Sequence, residues 1–251
     1  MKNILVICTL VVCLFGCKPE NIISGYSQDK LDELLIPTNL NDKGGYGTCR
    51  MYIPKEEHIT GKLPFVIYFD SNENQGGLGP LIEYIDKEEN PAIVMVVPYG
   101  SNNVERVKIL NGTEAYMMSL LADDASVVDK SRIYVTGFGN GAYEAWKFTM
   151  ETPDIVSTVA PVCGGPTSGS HYEEPEVPIV MIDVNIWAVH YVDDPVINNE
   201  YSKKIITAIW TQSVALARFT EFFEGGHTAE IFHNRNFLDW MFGTKRASEG
   251  E

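Results

Sequence analysis

The chain has 251 residues, 45% hydrophobic and 21% charged, with 34 acidic against 19 basic side chains for a formal charge of −15. That balance excludes nucleic acid as a partner, because a nucleic acid is gripped mainly through basic contacts to its phosphates, and it disfavours an anionic membrane surface. In chain order, the first segment is "MKNILVICTLVVCLFGCKPE", with Lys2, an apolar run from Ile4 to Phe15, and then Gly16 and Cys17. The run is too short to span a bilayer and reads as a secretory leader, residues 1–16.

Leu14-Phe15-Gly16-Cys17 resembles a lipobox, the bacterial site at which cysteine is acylated and becomes the new N-terminus. The resemblance implies a mature protein held to the membrane by a lipid on Cys17, in the bacterial envelope at the outer membrane or cell surface. Loss of Lys2 with the leader takes the charge from −15 to −16. Of the five cysteines, this leaves Cys49 and Cys163 in the folded part. Two cysteines make no disulfide framework, and sequence leaves their pairing open.

Residues 17–44 are then expected as the lipidated cysteine and a tether, polar and aperiodic from Lys18 to about Asn41, and residues 45–247 as one domain. Strands are predicted at Tyr46–Pro54, Leu63–Asp70, Ala92–Pro98, Arg132–Gly137, Val156–Cys163 and Asn185–Tyr191. Several are almost continuously apolar, as strands buried on both faces of a parallel sheet must be. Helices are predicted near Glu114–Val128, Gly141–Glu151 and Asn199–Gln212, and from Asn236 onward. Strands alternating with helices predict an α/β fold with a doubly wound, mostly parallel sheet and helices on both faces.

In such a sheet the crevice lies beyond the carboxyl ends of the strands. One of those ends reads "RIYVTGFGNGAYEAW", Arg132–Trp146, which has the strand–glycine–helix layout of a turn that displays a catalytic serine, yet contains no serine. "TGFGNGAYEAWKFTMETPDIVSTVAPVCGG" resembles the nucleophile elbow and next strand of the α/β-hydrolase esterases related to polyhydroxybutyrate depolymerases and feruloyl esterases. "NIWAVHYVDDPVINNEYSKKIITAI" resembles that family's acid loop, and "FFEGGHTAEIFHNRNFLDWMFGTKR" its histidine loop and closing helix. The resemblance runs from about Gly45 to Arg246 and implies an α/β-hydrolase fold, carboxylic-ester hydrolysis and no cofactor.

Carried over residue by residue, it implies Asp194 as the triad acid and His227 as the general base, in hydrolase chain order. It also places Gly139 where the nucleophilic serine belongs. Glycine has no atom to attack a carbonyl, and the neighbouring Asn140 amide is not a nucleophile. Loss of the serine alone costs on the order of 10⁶-fold in turnover in subtilisin. The loop after Leu63–Asp70, which in the family reads His-Gly and supplies an oxyanion donor, here reads Asp70-Ser71. Tyr191 replaces a glycine of the acid loop, which is expected to narrow the crevice.

Other residues offer little substitute chemistry. Cys163 occupies a position where the family has a cysteine that is not its nucleophile, and Ser168 and Ser170 lack elbow geometry. His190, Asp193, Asp194 and His227 are chemically suited to a metal, but hydrolase acid loops produce the same cluster without one. Tyr143, Trp146, Trp187 and Tyr191 are candidates to stack on a sugar, with core packing the expected use of the two tryptophans. The expectation is an esterase-like scaffold that has lost serine chemistry and binds an ester-bearing glycan or small ligand. The competing readings are an active carboxylic-ester hydrolase with a displaced nucleophile, and a structural partner of other envelope lipoproteins.

Overall fold

The computed structural model describes residues 22–41, 46–71, 76–87, 90–165, 181, 183–211 and 217–246. Among them an eight-stranded sheet runs in the order β1 (Ile36–Asn39), β2 (Thr48–Tyr52), β4 (Ile93–Val97), β3 (Leu63–Phe69), β5 (Val128–Phe138), β6 (Thr158–Val162), β7 (Asn185–Tyr191) and β8 (Ala217–Phe222). The sheet is parallel from β4 to β8, and only the β1–β2 and β2–β4 pairs are antiparallel.

The continuous apolar run of β3 follows from burial on both faces. Phe65, Ile67 and Phe69 join the core beneath α3 (Asn103–Ala122), α4 (Asn140–Glu151) and α5 (Glu200–Thr211). Val66 and Tyr68 join the opposite core, beneath α1 (Gln28–Leu34), α2 (Leu78–Lys87) and α6 (Arg235–Gly243). A side chain the size of Phe65 or Phe237, fully buried in these cores, contributes about 1.5–3 kcal/mol by its removal from water.

Residues 22–41 are not a tether. Ile22 forms a bridge with Asn234, Ile23 is buried, and its N–H donates to the carbonyl of His233 at 2.8 Å. Helix α1 starts at Ser27, whose hydroxyl accepts from Lys30 N, and it buries Leu31. Tyr26 and Tyr52 both donate to the carboxylate of Asp86 on α2, at 2.6 and 3.0 Å. The domain therefore begins by Ile22 rather than Gly45. The segment escapes a periodicity search because a few anchors, Ile23, Leu31, Leu35 and Leu40, hold it through distant partners.

Two helices also depart from expectation. Helix α3 starts eleven residues before Glu114, at an Asn102 cap that accepts from Glu105 N, and it ends before Val128, which opens β5. Its apolar residues are spread around the helix, which erases the periodic stripe. Helix α2 went unpredicted, although Pro80 in its first turn suits a helix start, where the missing N–H has no helical partner to lose. No helix among the described residues is long and apolar enough to cross a membrane. The leader, Cys17, Ser168 and Ser170 lie outside the described residues.

Candidate active site

Strand β5 carries the chain to Phe138, and α4 leaves from Asn140. The residue between them, Gly139, has φ 56° and ψ −119°. That is a left-handed, strained conformation for any residue with a Cβ, the backbone state in which an elbow holds its nucleophile clear of the sheet. The state is held from both sides: Gly139 N donates to Val162 O of β6 at 2.9 Å, and Gly139 O accepts from Tyr143 N at 3.2 Å. Beneath it, a Cβ on Gly141 would collide with the Phe69 carbonyl at the end of β3, so the close crossing of helix and strand requires glycine there. The elbow is thus complete as backbone and empty as chemistry.

Opposite it, the acid and base stand as a hydrogen-bonded pair. His227 Nδ1 lies 2.8 Å from Asp194 Oδ2, with the Asp194 side chain fully buried and the imidazole 10% exposed. The imidazole packs against Phe138, the residue before the elbow, at 4.5 Å between ring centroids. Asp194 sits in the loop after β7, where its Oδ1 accepts from the amides of Val196 and Ile197 at 2.8 and 2.9 Å. Burial alone would raise its pKa, but hydrogen bonds from His190, His227 and these two amides hold it well below the usual carboxylate range. The preceding Asp193 ties this loop to the histidine loop by accepting from the amides of Gly226 and Gly225, at 2.8 and 3.2 Å.

A second imidazole shares the acid. His190, fully buried near the end of β7, places Nε2 3.2 Å from Asp194 Oδ2 and 2.9 Å from the carbonyl of Ile197. Both are acceptors, so Nε2 carries a proton. Its Nδ1 lies 2.7 Å from Ser202 Oγ, which is also 2.9 Å from Gly164 O. His190 thus positions the carboxylate and is not aimed at a ligand. Among the described residues the compact group of metal-ligand type is Cys163, Asp194 and His227, not the four side chains His190, Asp193, Asp194 and His227 whose chemistry would suit a metal. Asp193 is engaged with glycine amides and His190 with Ser202 and Ile197, which removes both from that foursome.

Cys163 is completely buried and donates to Thr228 O at 3.4 Å. Burial pushes its thiol up to about 12, so it is not a thiolate at neutral pH and is a poor nucleophile. It is also the one non-glycine residue with positive φ among those described. Cys49 lies in the opposite core, and both cysteines are free.

At the oxyanion position, Asp70 N donates to Val97 O at 2.8 Å, and the Asp70 carboxylate lies 3.7 Å from the Arg50 guanidinium. A carboxylate here would repel a developing oxyanion, and this one has a counter-ion on β2. Ser71, beside it, is buried. Of the aromatics, the two tryptophans pack as expected and Tyr191 does not sit as expected. Trp146 is core, donating to Gly164 O at 3.2 Å, and Trp187 packs on Phe237 and Trp240 with Arg218 above its ring. Tyr191 does not stand in the crevice, being buried and stacked on Phe222 at 5.2 Å. Of the four, Tyr143 on the first turn of α4 is the one placed at the elbow and half-buried.

Sequence reasoning missed Glu144, one residue further on. Its carboxylate is buried with no hydrogen-bond partner among the described residues, 3.9 Å from Arg106 Nε, and burial raises its pKa. The available signal was an acidic residue at an inward position of "GAYEAWKF".

Sheet order, elbow and acid–base pair define the class: the chain has the α/β-hydrolase fold. No protein-family model matches the sequence, and no curated protein matches it. Solved structures do. A thermostable esterase superposes with a TM-score of 0.68 at 21% identity, over 85% of this chain and 64% of its own, so this chain spans just under two thirds of that enzyme. An alpha/beta hydrolase enzyme from a Medee basin deep-sea metagenome library gives 0.62 at 17% identity, over 82% and 89%. The CE1 ferulic acid esterase of the anaerobic fungus Anaeromyces mucronatus gives 0.58 at 15%, over 78% and 85%.

Proposed function

We propose that this is an esterase-like α/β-hydrolase-fold lipoprotein, anchored to a bacterial envelope membrane through Cys17, that binds an ester-bearing ligand without serine-esterase turnover. The observation that carries the reading is Gly139, which keeps the strained elbow geometry and offers no nucleophile. A glycan ester is the ligand class the resemblance favours, and Tyr143 is the aromatic placed to meet it. Anchoring rests on Leu14–Cys17, and replacing Cys17 by serine is expected to abolish lipid labelling and release the protein from membranes. Unchanged partition would refute it.

The test of the catalytic reading is hydrolysis of short activated acyl esters by the purified protein. The expected rate equals that of a His227→Ala variant. One observation favours the alternative, a hydrolase with a displaced nucleophile: the Asp194–His227 pair is intact at 2.8 Å. A rate that vanishes specifically in His227→Ala would establish that alternative.

A further inference from the structure

The chain enters the domain at the crevice end. Helix α6 runs away from that end, because the residues after it reach the amino ends of the strands: Arg246 N donates to Ser131 O near the start of β5 at 2.8 Å, and Thr244 Oγ1 lies 2.5 Å from Thr158 Oγ1 at the start of β6. The beginning of α6 therefore lies at the carboxyl ends. There Asn234 bridges Ile22, and His233 Nδ1 lies 2.6 Å from the Ile23 carbonyl. Five residue steps separate Ile22 from Cys17, and a fully extended chain spans at most about 18 Å over them. A domain of this size has a radius of gyration of roughly 17 Å and a diameter of roughly 45 Å. A lipid on Cys17 therefore cannot lay the amino ends of the strands against a bilayer, but it can lay the crevice end there.

The same end carries exposed apolar side chains. Phe223 directly follows β8 and is 70% exposed, and Val192 and Val196 follow β7 in the acid loop, Val196 at 61%. Val104 and Val107, in the first turns of α3, and Ile22 add to them. Their neighbours Asp193, Glu224 and Glu230 are exposed acids, which suit a zwitterionic surface and oppose an anionic one.

We propose that the crevice end of the domain rests on a zwitterionic bilayer, with Phe223 and Val196 in the headgroup layer. The crevice then meets ligands presented at the membrane surface. This rests on the anchoring reading of Cys17, and the test separates the two. The full lipidated chain would carry single cysteines, Phe223→Cys, Val196→Cys or Val127→Cys, labelled with an environment-sensitive fluorophore; buried Cys49 and Cys163 leave the introduced thiol as the accessible one among the described residues. The probe surface is phosphatidylcholine vesicles with or without brominated acyl chains.

Labels at 223 and 196 are expected to lose at least half their emission to brominated lipid, while the label at 127, beside the start of β5, stays unchanged. A chain that floats with the vesicles yet shows no quenching at 223 and 196, or equal quenching at 127, overturns the orientation and leaves the anchor standing. Failure to float overturns both. Absence of quenching together with a doubled mass by light scattering that Phe223→Asp abolishes would assign the apolar rim to a second copy, and would also overturn the proposal.

Discussion

The two halves of the candidate site differ in what they retain. The elbow keeps its backbone, with Gly139 at φ 56° between β5 and α4, and lacks its reactive atom. The acid–base half keeps its chemistry, with Asp194 and His227 paired and the carboxylate held by two amides and a second imidazole. The difference teaches that an elbow's shape is enforced by fold packing, the Gly141–Phe69 crossing above all, whereas the serine on it is dispensable to the fold. The acid, by contrast, is integral to the fold as well as to the site. Removing it strips a partner from two amides and two imidazoles at once, His190 among them fully buried.

That contrast is sharpest in stability. Asp194→Ala is expected to destabilise by about 3–5 kcal/mol in chemical denaturation, as removal of one member of a buried charged network does. The sign of the pH dependence follows from the lowered folded pKa. Asp194 contributes stability that is present above its unfolded value, about 3.9, and lost as pH falls through the folded value. The gap between wild type and an Asp194→Asn variant should therefore narrow below about pH 4. A loss no larger at Asp194 than at Gly139 would erase the contrast.

Gly139→Ser is expected to cost about 1–3 kcal/mol, because a Cβ enters the strained region that glycine occupies freely. By itself it should not restore useful esterase activity, since Asp70 and Ser71 still stand where the family has its oxyanion loop. Adding Asp70→His and Ser71→Gly should recover more activity than the serine alone. An efficient esterase from the single change, at unaltered melting temperature, would contradict both the strain argument and the broken oxyanion loop.

Glu144→Gln, in the second turn of the same helix, should stabilise at pH 7 by about 1–3 kcal/mol, through relief of a buried charge that has no hydrogen-bond partner among the described residues and only a long ion pair to Arg106. Here the folded pKa is raised, so the wild-type protein is most stable below the unfolded value and loses stability as pH rises through the folded one. The gain should therefore shrink toward pH 4. A variant equal to wild type at both pH values would show that Glu144 is solvated.

Much of this was legible in the sequence where local pattern and tertiary role coincide. The central strands announced themselves because burial on both faces leaves no polar residue in runs such as Leu63–Phe69. Asp194 and His227 were placed by the resemblance of their loops to the esterase pattern, and both loops follow strands, where the fold converges its site. What escaped depends on distant partners. Residues 22–41 look like a linker until Tyr26 meets Asp86 and Ile23 meets His233. His190 reads as a candidate metal ligand, and its role in holding Asp194 appears only once the loop after β7 curls back onto it. Tyr191 was expected to narrow the crevice because it replaces a family glycine, and only its distant partner Phe222, on β8, shows that the ring turns away and is buried.

The central claim is that no residue of this chain serves as the nucleophile for the Asp194–His227 pair. Intact-protein mass after exposure to an activated alkyl fluorophosphonate tests it most directly, since a nucleophile activated by His227 would retain the phosphonyl group as a covalent adduct. The expected result is an unmodified wild-type mass, identical to that of His227→Ala. A stoichiometric adduct on the wild-type protein that is absent from His227→Ala would contradict the account.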